Sequence, residues 1–241
     1  QPWYNFSRDI KHIVVEDGVT SIGEAAFTSC DATDITIGDS VVSIGNEAIK
    51  YCDDLTEIIV DEDNQYYSND EFGVLFNKDK TELIQYPVGN KRQVYYVPDG
   101  VIKVCDYAFC APLSGSSKGQ VLTEGGNLVV IVLADSVESL GEYILHYNNS
   151  LVTFYIGENS QLKSIGAHAF DYCRALENII LPDSIETIGD LAFSWCTALK
   201  KDLHIHSGDV TIGEEILLDA KRIEIDYEEN KMHSIQTGIC S

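Results

Sequence analysis

Positive charge is what this chain most lacks. Sixteen Lys and Arg stand against 39 Asp and Glu, a formal net charge of −23. A surface this acidic repels nucleic acid and anionic lipid, which both bind through cationic neutralisation. It suits a neutral or basic partner, an encounter with divalent cations, or solubility alone. Long apolar runs are also missing. None approaches the roughly 20 residues that cross a bilayer, which excludes membrane insertion by a helix. No secretory leader opens the sequence, and Gln1-Pro2-Trp3-Tyr4 reads as a mature or trimmed start that leaves export open. Seven Cys occur without a single C-x-x-C pair. No Ser/His/Asp or Cys/His set is brought together either, so the chain is read as non-enzymatic and without a cofactor.

What the sequence has is repetition. "VTSIGEAAFTSC" at 19–30 returns as "VVSIGNEAIKYC" at 41–52, "LKSIGAHAFDYC" at 162–173 and "IETIGDLAFSWC" at 185–196. Registered on the Gly of "IG", the units fall at Gly23, Gly45, Gly141, Gly166, Gly189 and Gly213, with Cys105 in that place once. The step of roughly 22 to 25 residues lies in the leucine-rich-repeat range. It widens around the Cys105 unit, where segments are inserted.

Each unit opens with apolar residues at i, i+3 and i+5, as in Leu55, Ile58, Val60 and Leu176, Ile179, Leu181. The last two lie on one face of a strand. A turn follows, "GDS" at 38–40, "PDG" at 98–100, "ADS" at 134–136 and "PDS" at 182–184. Gly then marks a bend where coils approach. The "AF" pair is expected to form a short helical turn, with Phe27, Phe109, Phe170 and Phe193 as an aromatic spine. One unit is too small to bury its own apolar side, so neighbours must stack. About eight or nine coils in a curved solenoid are expected, with a parallel strand per coil on the inner face and short strands near "SIG" outside.

This pattern resembles the BspA-like, or treponemal-type, leucine-rich repeats. "LENIILPDSIETIGDLAFSWC" at 176–196 matches their phrase almost throughout. "YYSNDEFGVLFNKDKTELIQYP" at 66–87 is similar to the hairpin these proteins insert between repeats, with strands Val74–Phe76 and Glu82–Tyr86. The resemblance covers about 10–226 and implies one right-handed leucine-rich repeat domain over 1–241. Its hairpin insertion lies at about 61–92 and a loop insertion at about 111–127. The hairpin is expected to project from the stack. Asn148 and Pro112 depart from the pattern where Cys is expected. Members are mostly exported or surface-attached proteins of bacteria, many from gut and mouth. The resemblance therefore implies an extracellular or cell-surface monomer that binds a host or bacterial extracellular protein, or a glycan. A structural spacer with no ligand of its own is the alternative.

The candidate chemistry is sparse. Cys30, Cys52, Cys173 and Cys196 share one register position and read as buried, reduced thiols, since a reactive thiol needs a cationic neighbour. A Cys105–Cys110 pair is a remote option. In "DLHIH" at 202–206, inward Leu203 and Ile205 would leave Asp202, His204 and His206 on the outer face. Glu224 and Asp226 of the next strand would lie beside them, a donor set suited to a divalent transition metal. The bland reading is a polar strand surface. "DEDNQYYSND" at 61–70 lacks the central Gly of an EF-hand, and Phe72 stands at its twelfth position. "GSSKGQ" at 115–120 lacks the Lys-Ser/Thr of a phosphate loop.

Between the two inward residues of each strand, one residue points to the concave side. That column runs Val14, Thr36, Ile59, Tyr96, Val132, Tyr155, Ile180, His204 and Glu224. Strand propensity alone favours such residues. An exposed apolar strip on an acidic chain also marks an interaction site. Ile59, Tyr96, Val132, Tyr155 and Ile180 are therefore the candidate ligand-binding residues, with acids at the rim selecting a basic or calcium-bridged partner.

Overall fold

The computed structural model describes residues 7–111, 126–200, 205 and 210–220. Longer strands line one face: β1 (His12–Val15), β3 (Asp34–Ile37), β5 (Glu57–Val60), β9 (Val94–Tyr96), β11 (Val130–Val132) and β13 (Thr153–Tyr155). Two-residue strands line the other: β2 (Ser21–Ile22), β4 (Ser43–Ile44), β10 (Lys103–Val104), β12 (Ser139–Leu140), β14 (Ser164–Ile165), β15 (Thr187–Ile188) and β16 (Thr211–Ile212). The inserted segment supplies β6 (Tyr67–Asn69), β7 (Leu75–Asn77) and β8 (Glu82–Gln85). Among the described residues coil-to-coil pairing is parallel, and only the β6–β7 and β7–β8 pairs are antiparallel. The result is a leucine-rich repeat solenoid.

The expected i, i+3, i+5 residues do turn inward: Leu55 and Ile58, Leu128 and Ile131, Leu151 and Phe154, Leu176 and Ile179 are all buried. Each such side chain removed from water contributes roughly 1.5–3 kcal/mol. The register Gly is explained by the neighbouring coil. A Cβ on Gly189 would sit 2.4 Å from the backbone nitrogen of Ala167, and its own N–H donates to the carbonyl of Ile165 at 2.8 Å. Gly23, in the first coil, has open space. Cys105 is tolerated because the chain before it on this face is β8 of the hairpin, to whose Leu83 carbonyl it donates.

The "AF" phrase is not helical. In the units registered on a Gly, two residues take left-handed backbone, two and six places after it: Ala25 and Ser29, Tyr143 and Tyr147, His168 and Tyr172, Leu191 and Trp195, with φ between 51° and 61°. A helix needs φ near −63°. The reason is where the donors go. Alternate N–H groups, those of His168, Phe170 and Tyr172, donate to Asp190, Ala192 and Ser194 of the next coil at 2.8–2.9 Å. Those of Asp171 and Cys173 close turns within their own coil. A helical turn would spend every donor locally and leave the coil edge unpaired.

The Phe spine is partial. Phe170 and Phe193 stack at 5.0 Å, whereas Phe109 packs with Tyr86 and Tyr95. Ile49 and Leu145 occupy the equivalent place in intervening coils.

The hairpin does not project. Its strands match the expected positions, but β8 pairs with β10, so the insertion continues the short-strand sheet. Val74, Leu75, Phe76 and Leu83 are wholly buried. Leu75 belongs to an N-terminal core reaching back to Ile13, while Val74, Phe76 and Leu83 belong to the C-terminal core. The alternation of a strand thus makes β7 the wall between two cores. Asp70 fastens it, accepting from the N–H groups of Phe72 and Val74 and from the Tyr95 hydroxyl at 2.9–3.0 Å. Asn64, fully buried, makes four bonds to backbone groups on both sides.

Candidate functional site: the concave strip

The strip is built by register. Val132 pairs with Tyr96 on one side and Tyr155 on the other. The Thr153–Asn178 bridge carries the same register on to Ile180. Flanking residues Tyr95, Ile131, Phe154 and Ile179 are buried, which turns the residues between them outward. Tyr96 is 66% exposed, Tyr155 53% and Ile180 68%. Val132 is half-buried between the two tyrosines.

Ile59, 42% exposed, does not join them. It lies in the separate β1–β3–β5 sheet, beside Thr36, with Val14 beyond. The hairpin intervenes, because the N–H of Ile58 donates to Gly73 rather than to β9. Four of the five expected residues therefore form one patch, and the fifth belongs to another.

An open depression of about 600 Å³ lies at the C-terminal edge of the patch. Tyr96, Val132 and Tyr155 line it together with Asp99, Asp135 and Glu158. These acids belong to a column that sequence reading had not assembled. Asp17, Asp39, Asp99, Asp135, Glu158 and Asp183 each stand two places after a strand's last inward residue, and all are exposed. Among the described residues none of the six makes a salt bridge. The opposite edge is basic: Lys91 and Arg92 precede β9, and the Arg92 guanidinium stacks over Phe72 at 3.7 Å. The fixed offset from the strands was the available signal.

The thiols are structural. Cys52, Cys173 and Cys196 are buried and donate to the carbonyls of Phe27, Leu145 and Phe170 in the preceding coil at 3.1–3.2 Å. Burial pushes the Cys52 and Cys196 thiols up to about 12. Cys105 and Cys110 are unbridged, and burial raises both. Asp202, His204, His206, Glu224 and Asp226 lie outside the described residues. Among the described residues no three His, Cys, Asp or Glu converge on a metal position.

A second polar cluster sits on the short-strand side. Asp171 lies between His168, whose Nδ1 is 3.0 Å from Oδ2, and His146, whose Nε2 is 3.6 Å from the same oxygen. Tyr107, Tyr143 and His168 stack along one left-handed column, and Tyr147, Tyr172 and Trp195 along the other. Burial, then His168 and Lys50, lowers His146 to about 4, while burial raises Asp171. The rings spend their faces on one another, so this side is a packed zipper.

The sequence matches the BspA type leucine rich repeat region in six copies, over residues 3–85 and 120–239. No curated protein matches it. In fold it is similar to a leucine rich cell surface protein from Faecalibacterium prausnitzii A2-165, at 24% identity and a TM-score of 0.70, over 91% of this chain and 60% of that one. It is also similar to the pneumococcal vaccine antigen PcpA, at 22% identity and 0.67, over 90% and 57%. The chain thus spans less than two thirds of either protein.

Proposed function

The chain belongs to the BspA-type leucine-rich repeat family, and from that premise we propose that it is a non-catalytic binding module that recognises an extracellular protein, or a glycan, through Tyr96, Val132, Tyr155 and Ile180. The observation that carries this reading is the exposure of Tyr96 and Tyr155 on either side of Val132 in a parallel sheet, with Ile180 next in register. A spacer would present polar residues there. Tyr is a frequent interface anchor, since its ring buries area and its hydroxyl bonds. The description of the Faecalibacterium relative as a cell surface protein supports an extracellular or cell-surface setting. Among the described residues no helix is long and apolar enough to cross a membrane.

The test is Tyr96→Ser with Tyr155→Ser in capture from host and bacterial surface extracts. The double variant should lose partner capture at least about tenfold. Its melting temperature should hold, because exposed substitutions typically change stability by under about 0.5 kcal/mol each. Undiminished capture would exclude the strip as the binding surface.

A further inference from the structure

We infer that the partner of this face presents an extended segment bearing Lys or Arg at alternate positions, laid across β9, β11 and β13 with its cations in the depression between the tyrosines and Asp99, Asp135 and Glu158. The inference rests on the concave-face reading above and names the chemistry of its ligand.

Three observations converge. The depression is lined by aromatic and apolar side chains and by carboxylates, the two surfaces that a Lys or Arg side chain meets with its stem and its charge. The carboxylates are exposed and carry no salt bridge among the described residues, which leaves them open to an external cation. The molecule already uses guanidinium on an aromatic face at Arg92 and Phe72, the other edge of the same sheet.

Calcium does not fit as the bridging species. It takes 6–8 oxygens converging at about 2.3–2.6 Å. Here the turns deliver one carboxylate per coil, about 4.8 Å apart, and no three acids converge among the described residues. A linear array of single carboxylates suits a linear array of cations. Same-face side chains of an extended segment repeat every ~6.7 Å, so two cations cover three carboxylates, with flexible stems taking up the difference.

The test uses two synthetic peptides, one alternating Val and Arg, the other Val and Glu, titrated calorimetrically against the full chain. The Arg peptide should bind and the Glu peptide should not. Asp99→Asn, Asp135→Asn and Glu158→Gln together should weaken the Arg peptide about tenfold or more. Glu24→Gln, Asp79→Asn and Glu186→Gln remove the same charge elsewhere and should change it by less than about twofold. No binding of the Arg peptide, or equal weakening by both triple variants, overturns the inference. Surface-ligand capture that falls with the tyrosine variants yet survives rim neutralisation also overturns it, and leaves the concave reading standing. Capture that survives the tyrosine variants removes both.

Discussion

His146 shows how a single side chain in the zipper sets a pH response. Its imidazole is mostly buried against Tyr143, Tyr147 and Tyr172, beside Asp171, His168 and Lys50, and its Nδ1 has no partner. The folded value near 4 lies below the unfolded 6.5, so the unfolded chain takes the proton first. Stability is therefore full above pH 6.5 and falls as pH drops from 6.5 towards 4. Asp171, raised by burial, runs the other way: its contribution is present below the unfolded value of 3.8 and is lost as pH rises above it. The two contributions oppose each other. Between pH 7 and 5 the His146 contribution is on the order of 1 kcal/mol after allowing for its solvent access. Melting curves across that range should be shallower in pH for His146→Gln than for the parent chain. Parallel curves would show that His146 does not set the response. The left-handed residues give a second prediction at this scale. Ala25 sits at φ 51°, where a Cβ costs about 1–2 kcal/mol. Ala25→Gly should raise the melting temperature slightly, whereas the same change in a helix would lower stability by about 1 kcal/mol.

At the scale of the element, coil spacing is enforced by the register Gly. Gly189→Ala would drive a Cβ into the Ala167 backbone at 2.4 and 2.7 Å, contacts that no side-chain rotation relieves. A loss of about 1–3 kcal/mol is expected from the overpacking. Gly23→Ala meets nothing within 4 Å and should be nearly silent. Chemical denaturation of the two variants checks the contrast, and equal losses would contradict it. The strands and the Gly were legible because a fixed period of apolar and small residues survives every substitution between them. The left-handed positions were not. They hold Ala, Ser, Glu, Tyr, His, Leu, Trp and Asp, of which only His and Asp are residue types enriched at positive φ. The donor pattern that forces the conformation involves the next coil, roughly 22–25 residues away. The hairpin strands were legible from the resemblance of 66–87 to the hairpin this family inserts, but not their place in the stack. Leu75 and Phe76 are apolar on both faces, the mark of a strand covered on both sides.

Across the whole molecule, two cores joined through β7 and a sheet divided at the hairpin define what is available for binding. The concave column read from sequence contained five candidates, and four are contiguous because β9, β11 and β13 keep one register that the Thr153–Asn178 bridge carries on to Ile180. Ile59 was misplaced among them for the same reason that the hairpin was: a local pattern does not show which coil an insertion separates. The acid column was present in the turns all along and gains meaning only once the strands align it beside the tyrosines. We propose that the described coils act as one unit holding this surface rigid. Hydroxyl-radical footprinting of the chain, alone and with the Arg peptide or a captured surface ligand, tests the concave-face account most directly. Tyr96 and Tyr155 should become protected on binding, while Tyr147 and Tyr172 of the zipper stay unchanged. Protection of the zipper tyrosines, with Tyr96 and Tyr155 oxidised as in the free chain, would contradict it.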